Sequence, residues 1–231
     1  MEQQRAEAAS GSGQSLKNLY RIAGASFLVA GGFYIWAFVA EFLLPGPVFG
    51  EGLLQYVASN RQSFALSYAL FTAANSLSIV GVLGIYAITR GLDRSYATLG
   101  AGTMIIGLMA TLFSSTTPAL ISLSDRYSVA ASDAERQAIA TAAGAVTSMN
   151  NPVIASAFIG VGVIFVSVAM RKAPFGRGLA YVGAAVGTMY IVRALPFFAG
   201  YPFTTGVVFV AVSSVWIFGV GYKVYRQSLT S

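Results

Sequence analysis

The sequence predicts an all-α, polytopic integral membrane protein with six transmembrane helices. Both termini are expected in the cytoplasm, and the outer loops are expected to carry short amphipathic helices. Three observations lead there. The chain is 56% hydrophobic and 10% charged, where a soluble domain is about a quarter charged. It holds six apolar runs near or above the ~20 residues that a helix needs to cross a bilayer core. Its basic residues gather in alternate loops between those runs, as topology determinants do.

Taken in order, residues 1–16 are polar and rich in Gly and Ser, and read as a disordered cytoplasmic tail. They do not read as a signal peptide, because the first apolar run is too long for its apolar core. Residues 17–231 then form a single transmembrane domain. The first span, about 22–44, is entered through Lys17, Tyr20 and Arg21 and closed by Pro45-Gly46-Pro47. The second, 64–89, lies between Arg61 and Arg90. The third, 96–123, follows Arg94 and ends at Asp125-Arg126. The fourth, 152–170, is closed by Arg171-Lys172. The fifth, 179–198, carries one charge, Arg193. The sixth, 204–222, is closed by Lys223 and Arg226.

With the N-terminus inside, ten of the fourteen Lys and Arg fall in cytoplasmic segments. Arg61, Arg126 and Arg136 fall outside, and Arg193 falls within the membrane. That bias sets the orientation and places the protein in the cell (plasma) membrane. Tyrosines agree: Tyr20, Tyr86, Tyr96, Tyr181, Tyr222 and Tyr225 mark the inner interface, and Tyr56, Tyr127 and Tyr201 the outer one. In the outer loops, residues 50–60 place Leu53, Leu54 and Val57 at helical spacing. Residues 132–149 open with Ser132-x-x-Glu135, a capping-box pattern.

The chain has no Cys and no His. Disulfides, thiolate metal sites and His relays are therefore excluded, and neither a cofactor nor a metal is expected. The net charge of +6 comes from residues scattered at run ends, so no nucleic-acid partner is expected. Serine chemistry lacks a His, and all three lysines lie at the cytoplasmic edge, so no enzyme is expected. Membrane lipids are the expected surroundings. Gly183 with Gly187, and Ser156 with Gly160, form small-x-x-x-small faces. These serve tight packing within the bundle or a homo-oligomer contact.

Several short stretches also carry a family resemblance. They are Tyr20-Arg21-Ile22-Ala23-Gly24, Leu83-Gly84-Ile85-Tyr86-Ala87-Ile88 with Asp93-Arg94, Ala157-Phe158-Ile159-Gly160 and Phe175-Gly176-Arg177-Gly178-Leu179. From Tyr20 onward the chain resembles a prokaryotic membrane family known only as a domain of unknown function (family 4386). It departs from that pattern at Asn150-Asn151-Pro152. The resemblance implies six helices and contributes no functional residues.

The candidate site therefore rests on chemistry. An arginine inside a bilayer needs a partner or water. Arg193 sits roughly 7–8 Å below the outer end of its run at 1.5 Å per residue, and Glu41 lies at a similar depth. Tyr190 shares the stripe of Arg193, and Tyr34 that of Glu41. Thr116, Asn150 and Asn151 fall in the same outer half. If these groups converge, they form an outward-facing polar cavity that takes a small anionic or zwitterionic solute at Arg193. The chain is then a small-solute carrier or binding protein. The alternative is a non-enzymatic structural or regulatory subunit that binds lipid or a partner helix, with Glu41 and Arg193 acting only as a clamp or reaching for the headgroups.

Overall fold

An apolar run in lipid must satisfy its own backbone groups, and a helix does so within the segment. The computed structural model describes residues 2–43, 50–149, 152–195 and 203–230, with side chains over 14–39, 51–148, 153–195 and 208–230. All the secondary structure in these residues is helical. The helices are α1 (Glu2–Leu43), α2 (Gly50–Ser59), α3 (Arg61–Thr89), α4 (Arg94–Phe113), α5 (Thr117–Val129), α6 (Asp133–Met149), α7 (Pro152–Met170), α8 (Arg177–Arg193) and α9 (Phe203–Thr230). Five stretches are, by length and composition, apolar enough to cross a membrane: Gln14–Val39, Arg61–Thr89, Arg94–Val129, Asp133–Met170 and Val208–Thr230. The 17-residue α8 is not one of them.

Six helices form a closed ring in the order α1, α3, α4, α7, α8, α9 and back to α1. Each contributes to one core, with Phe27, Ile85, Met104, Val163, Val186 and Trp216 as its members from successive helices. Helix α7 touches its neighbours backbone to backbone. A methyl group on Gly162 would fall 2.6 Å from the Met104 amide nitrogen of α4, and one on Gly100 2.7 Å from that of Val166. On its other side, methyl groups on Gly160 and Gly187 would each lie 2.6 Å from the opposite carbonyl oxygen. The Gly183–Gly187 face is thus buried between α7, α8 and α9, so these two glycines pack the bundle internally.

At two places the helices differ in detail from the sequence reading. The third apolar run, 96–123, is not one helix. Helix α4 ends at Phe113, the chain turns at 114–116, and α5 starts at Thr117 with Pro118 in its first turn. The hydroxyls of Ser114 to Thr117 compete for backbone bonds, and proline cannot continue a preceding helix. The apolar residues beyond the break face a second core. There Leu120 of α5 meets Leu53, Leu54 and Val57 of α2 and Ile139 and Ala143 of α6. The Ser124 hydroxyl donates to the Leu54 carbonyl at 2.8 Å inside this three-helix cap. The capping box of α6 forms: Ser132 Oγ accepts from the Glu135 amide at 3.2 Å, and the Glu135 carboxylate accepts from the Ala131 amide at 3.0 Å. The second difference is at the N-terminus. Helix α1 begins at Glu2, within the segment expected to be a tail; Glu2–Ala9 is rich in strong helix formers that extend the packed part of α1.

The end of the ring opposite the cap, the basic end, carries Arg90, Arg94, Arg171, Lys172, Lys223 and Arg226. Asp93 caps α4 by accepting from the Tyr96 amide at 3.4 Å and pairs with Lys172 Nζ at 2.8 Å. One carboxylate therefore ties the α3–α4 turn to the turn after α7. The hydrogen bond from Lys172 holds the Asp93 carboxyl below the usual carboxylate range. A carboxyl whose pKa is lower folded than unfolded stabilises fully above its unfolded value, about 3.9, and loses that contribution as pH falls through the folded value. Thermal unfolding of Asp93→Asn in detergent should therefore show a lower midpoint than wild type at neutral pH. The gap should close as pH drops below about 4.

Candidate functional site

Polar side chains inside an apolar bundle survive by finding one another. Tyr34 of α1 and Asn75 of α3 do so. The Tyr34 hydroxyl donates to Asn75 Oδ1 at 3.1 Å and lies 3.4 Å from Ser78 Oγ, one turn along α3. The Asn75 amide in turn donates to the Phe71 carbonyl at 2.7 Å. The Phe71 ring meets the Tyr34 ring edge-on, with centroids 5.8 Å apart. This network seams α1 to α3 with every partner supplied by the chain.

Beside it lies a chamber of about 30 Å³ at the ring centre. All six ring helices line it, through Tyr34, Ser78, Leu108, Val163, Tyr190 and Trp216 among others. Ser213, one turn before Trp216, joins the lining. Ser213 Oγ and Trp216 Nε1 are buried without a hydrogen-bond partner among the described residues, as is Ser167 Oγ nearby. Gly183 explains how the last two come together: a methyl group there would collide with both Ser167 Oγ and Trp216 Nε1. An unpaired buried polar atom costs about 1–3 kcal/mol, so a guest that exchanges bonds with the Ser213 hydroxyl is stabilised here. A water needs about 10–15 Å³ and two to four polar partners, so the chamber holds a guest of one or two heavy atoms. Apart from the phenols, its lining residues are not ionisable.

Two of the expected site residues come together. Tyr34 and Tyr190 do meet in the chamber. Arg193 does not: it is exposed in the last turn of α8, with its guanidinium carbon 5.4 Å from the centre of the Phe209 ring. The same ring takes Tyr190 edge-on at 4.8 Å. Arg193 makes no ion pair among the described residues. A cation near a helix C-terminus gains from the helix dipole and can reach water along its stem, which is cheaper than burial at the midplane. The Glu41 side chain lies outside the described residues. Its helix α1 is separated from α8 by α9, and the two do not touch among the described residues. Thr116 precedes α5 half-buried, its carbonyl accepting from the Leu120 amide at 3.0 Å, and it does not line the chamber. Asn150 and Asn151 lie outside the described residues.

Sequence reasoning missed Ser78, Ser167, Ser213 and Trp216. The serines give no signal, because isolated small hydroxyls in apolar helices more often bond their own backbone. Trp216 offered one: tryptophans favour the membrane interfaces, and this one stands mid-run. Comparison of the chain with protein-family models, curated proteins and solved structures returned no match.

Two substitutions separate the midplane network from the Arg193 end. Asn75→Leu removes the nearer acceptor of the Tyr34 phenol and leaves it Ser78 Oγ at 3.4 Å, and should cost about 1–3 kcal/mol of stability in mixed-micelle denaturation. Arg193→Ala removes an exposed cation and should stay within about 0.5 kcal/mol of wild type. The reverse order would move the structural weight to the far end of α8.

Proposed function

We propose that this chain is a non-enzymatic, six-span protein of the plasma membrane, with both termini cytoplasmic, that binds and passes a small neutral polar solute through the centre of its helix ring. The observation that carries this reading is the convergence of all six ring helices on one small chamber whose lining includes Ser213, with its Oγ unpaired among the described residues. A chamber without formal charge suits a neutral guest better than the anionic or zwitterionic one expected at Arg193. A guest larger than one or two heavy atoms requires the ring helices to part. The sixth span is α8, which at about 26 Å for 17 residues reaches across most of an approximately 30 Å hydrocarbon core. The gathering of basic residues at one end supports placing that end in the cytoplasm.

The second reading is a structural or regulatory subunit. Backbone contact on both flanks of α7 favours it, because such packing resists the opening that passage requires.

Stopped-flow light scattering on proteoliposomes distinguishes them, with water, urea and glycerol as probes. The carrier reading expects at least one probe to cross faster than in protein-free vesicles. It also expects Ser213→Leu, which fills the chamber, to abolish that gain and Ser213→Ala, which removes the unpaired hydroxyl, to reduce it. Rates equal to empty vesicles for every probe, with well-folded protein, leave the subunit reading. A C-terminal reporter that is active only in the cytoplasm checks the orientation; activity only outside would reverse it.

A further inference from the structure

The basic end holds a second, larger cavity of about 220 Å³, between the end of α3, the turn after α7 and the end of α9. Ile88, Pro174 and Phe175 supply an apolar wall; Lys223, Arg226 and Thr230 supply polar groups. Lys223 and Arg226 stand three apart on α9 and so share one face. Their neighbours are already engaged. Arg90 stacks over Tyr86 and Arg171 over Tyr181, each with its guanidinium carbon 5.8 Å from the ring centre. Lys172 takes Asp93, the only carboxylate described at this end, at 2.8 Å. Among the described residues, Lys223 and Arg226 make no ion pair and no ring contact, and no carboxylate lines the cavity.

The cavity also lies at the level of exposed tyrosines. Tyr96, Tyr181 and Tyr222 are all exposed around this end, and exposed tyrosines gather where apolar tails give way to headgroups. Tyr222 directly precedes Lys223. A ligand here meets two cations, a hydroxyl and an apolar wall at headgroup depth.

We infer that this cavity binds a phosphate ester, held by the Arg226 fork and the Lys223 ammonium. The guanidinium matches two phosphate oxygens in a bidentate pair, and the ammonium adds a point charge. The phosphate of an anionic lipid headgroup places its glycerol against Ile88 and Phe175 and its tails along the bundle. A free phosphate offers the same oxygens without the apolar part.

Native mass spectrometry of the purified protein tests this with phosphatidylglycerol and phosphatidylcholine, and calorimetry with inorganic phosphate. Wild type should bind phosphatidylglycerol roughly tenfold or more tightly than phosphatidylcholine, from the two cations together. The Lys223→Gln/Arg226→Gln double variant should lose that preference; Arg177→Gln, which removes an exposed cation that does not line the cavity, should keep it. Binding of phosphatidylglycerol alone assigns a lipid headgroup, whereas binding of inorganic phosphate as well assigns the phosphate itself. The inference is overturned if wild type shows no preference and no phosphate binding, or if Arg177→Gln loses as much as the double variant. Should the double variant fold poorly, Lys223→Arg/Arg226→Lys keeps both charges, and it must then retain the preference.

Discussion

Everything in this bundle depends on how closely α7 approaches its two neighbours. Lipid tails are as apolar as a leucine side chain, so helices in a membrane gain nothing by hiding from water. What remains is contact, and contact deepens when side chains are absent. Gly100 and Gly162 bring α4 and α7 to backbone distance; Gly160 and Gly187 do the same for α7 and α8. On the other side of the ring, methyl groups on Gly24 and Gly84 would collide with Tyr225 and Ala23, so α1 meets α9 and α3 in the same manner. A ring drawn this tight leaves room at its centre for a chamber no larger than a few atoms.

That tightness dictates which polar groups the interior tolerates. A charge at the midplane would need a partner of equal quality within the same narrow space. The described core carries none; its polar atoms are phenols, hydroxyls, one carboxamide and one indole. Some of these satisfy one another, as Tyr34, Asn75 and Ser78 do. Trp216 and Ser213 instead line the chamber, with Nε1 and Oγ unpaired among the described residues. Both arrangements follow from one rule, that desolvated polar atoms seek partners. They differ only in whether the chain supplies the partner.

The helical class and most span positions were legible because length and hydropathy are summed over many residues, and no single residue decides them. The cap was half legible. The capping box at Ser132 and the spacing of Leu53, Leu54 and Val57 announced α6 and α2, but α5 hid inside an apolar run, since Leu120 and Ile121 are as apolar facing a neighbouring helix as facing lipid. The site was less legible. Stripe geometry brought Tyr34 and Tyr190 to one place, yet Arg193, drawn in with them, lies exposed in the last turn of α8. Spacing along one helix says which residues share a face; it does not say which helix stands opposite, and α8 packs against α7 and α9. Nor does spacing reveal that Ser167 and Trp216 converge on the bare α-carbon of Gly183, because that meeting involves three helices.

The ends and the middle of the molecule therefore obey different chemistry. At the basic end, cations sit where headgroups and water are within reach, and those without a ring or carboxylate are free to take an anion. At the centre, the same cations would be too costly, so only neutral hydrogen-bonding groups persist. A molecule that pairs strongly with arginine is consequently a poor guest for the chamber, and one that suits the chamber gains little from Lys223 or Arg226. The two cavities thus discriminate by charge before they discriminate by shape. Arg193 fits the same division: seated in the last turn of α8 beside Phe209, it belongs with the ends, and its place in the sequence of an apolar run is a matter of where that helix stops.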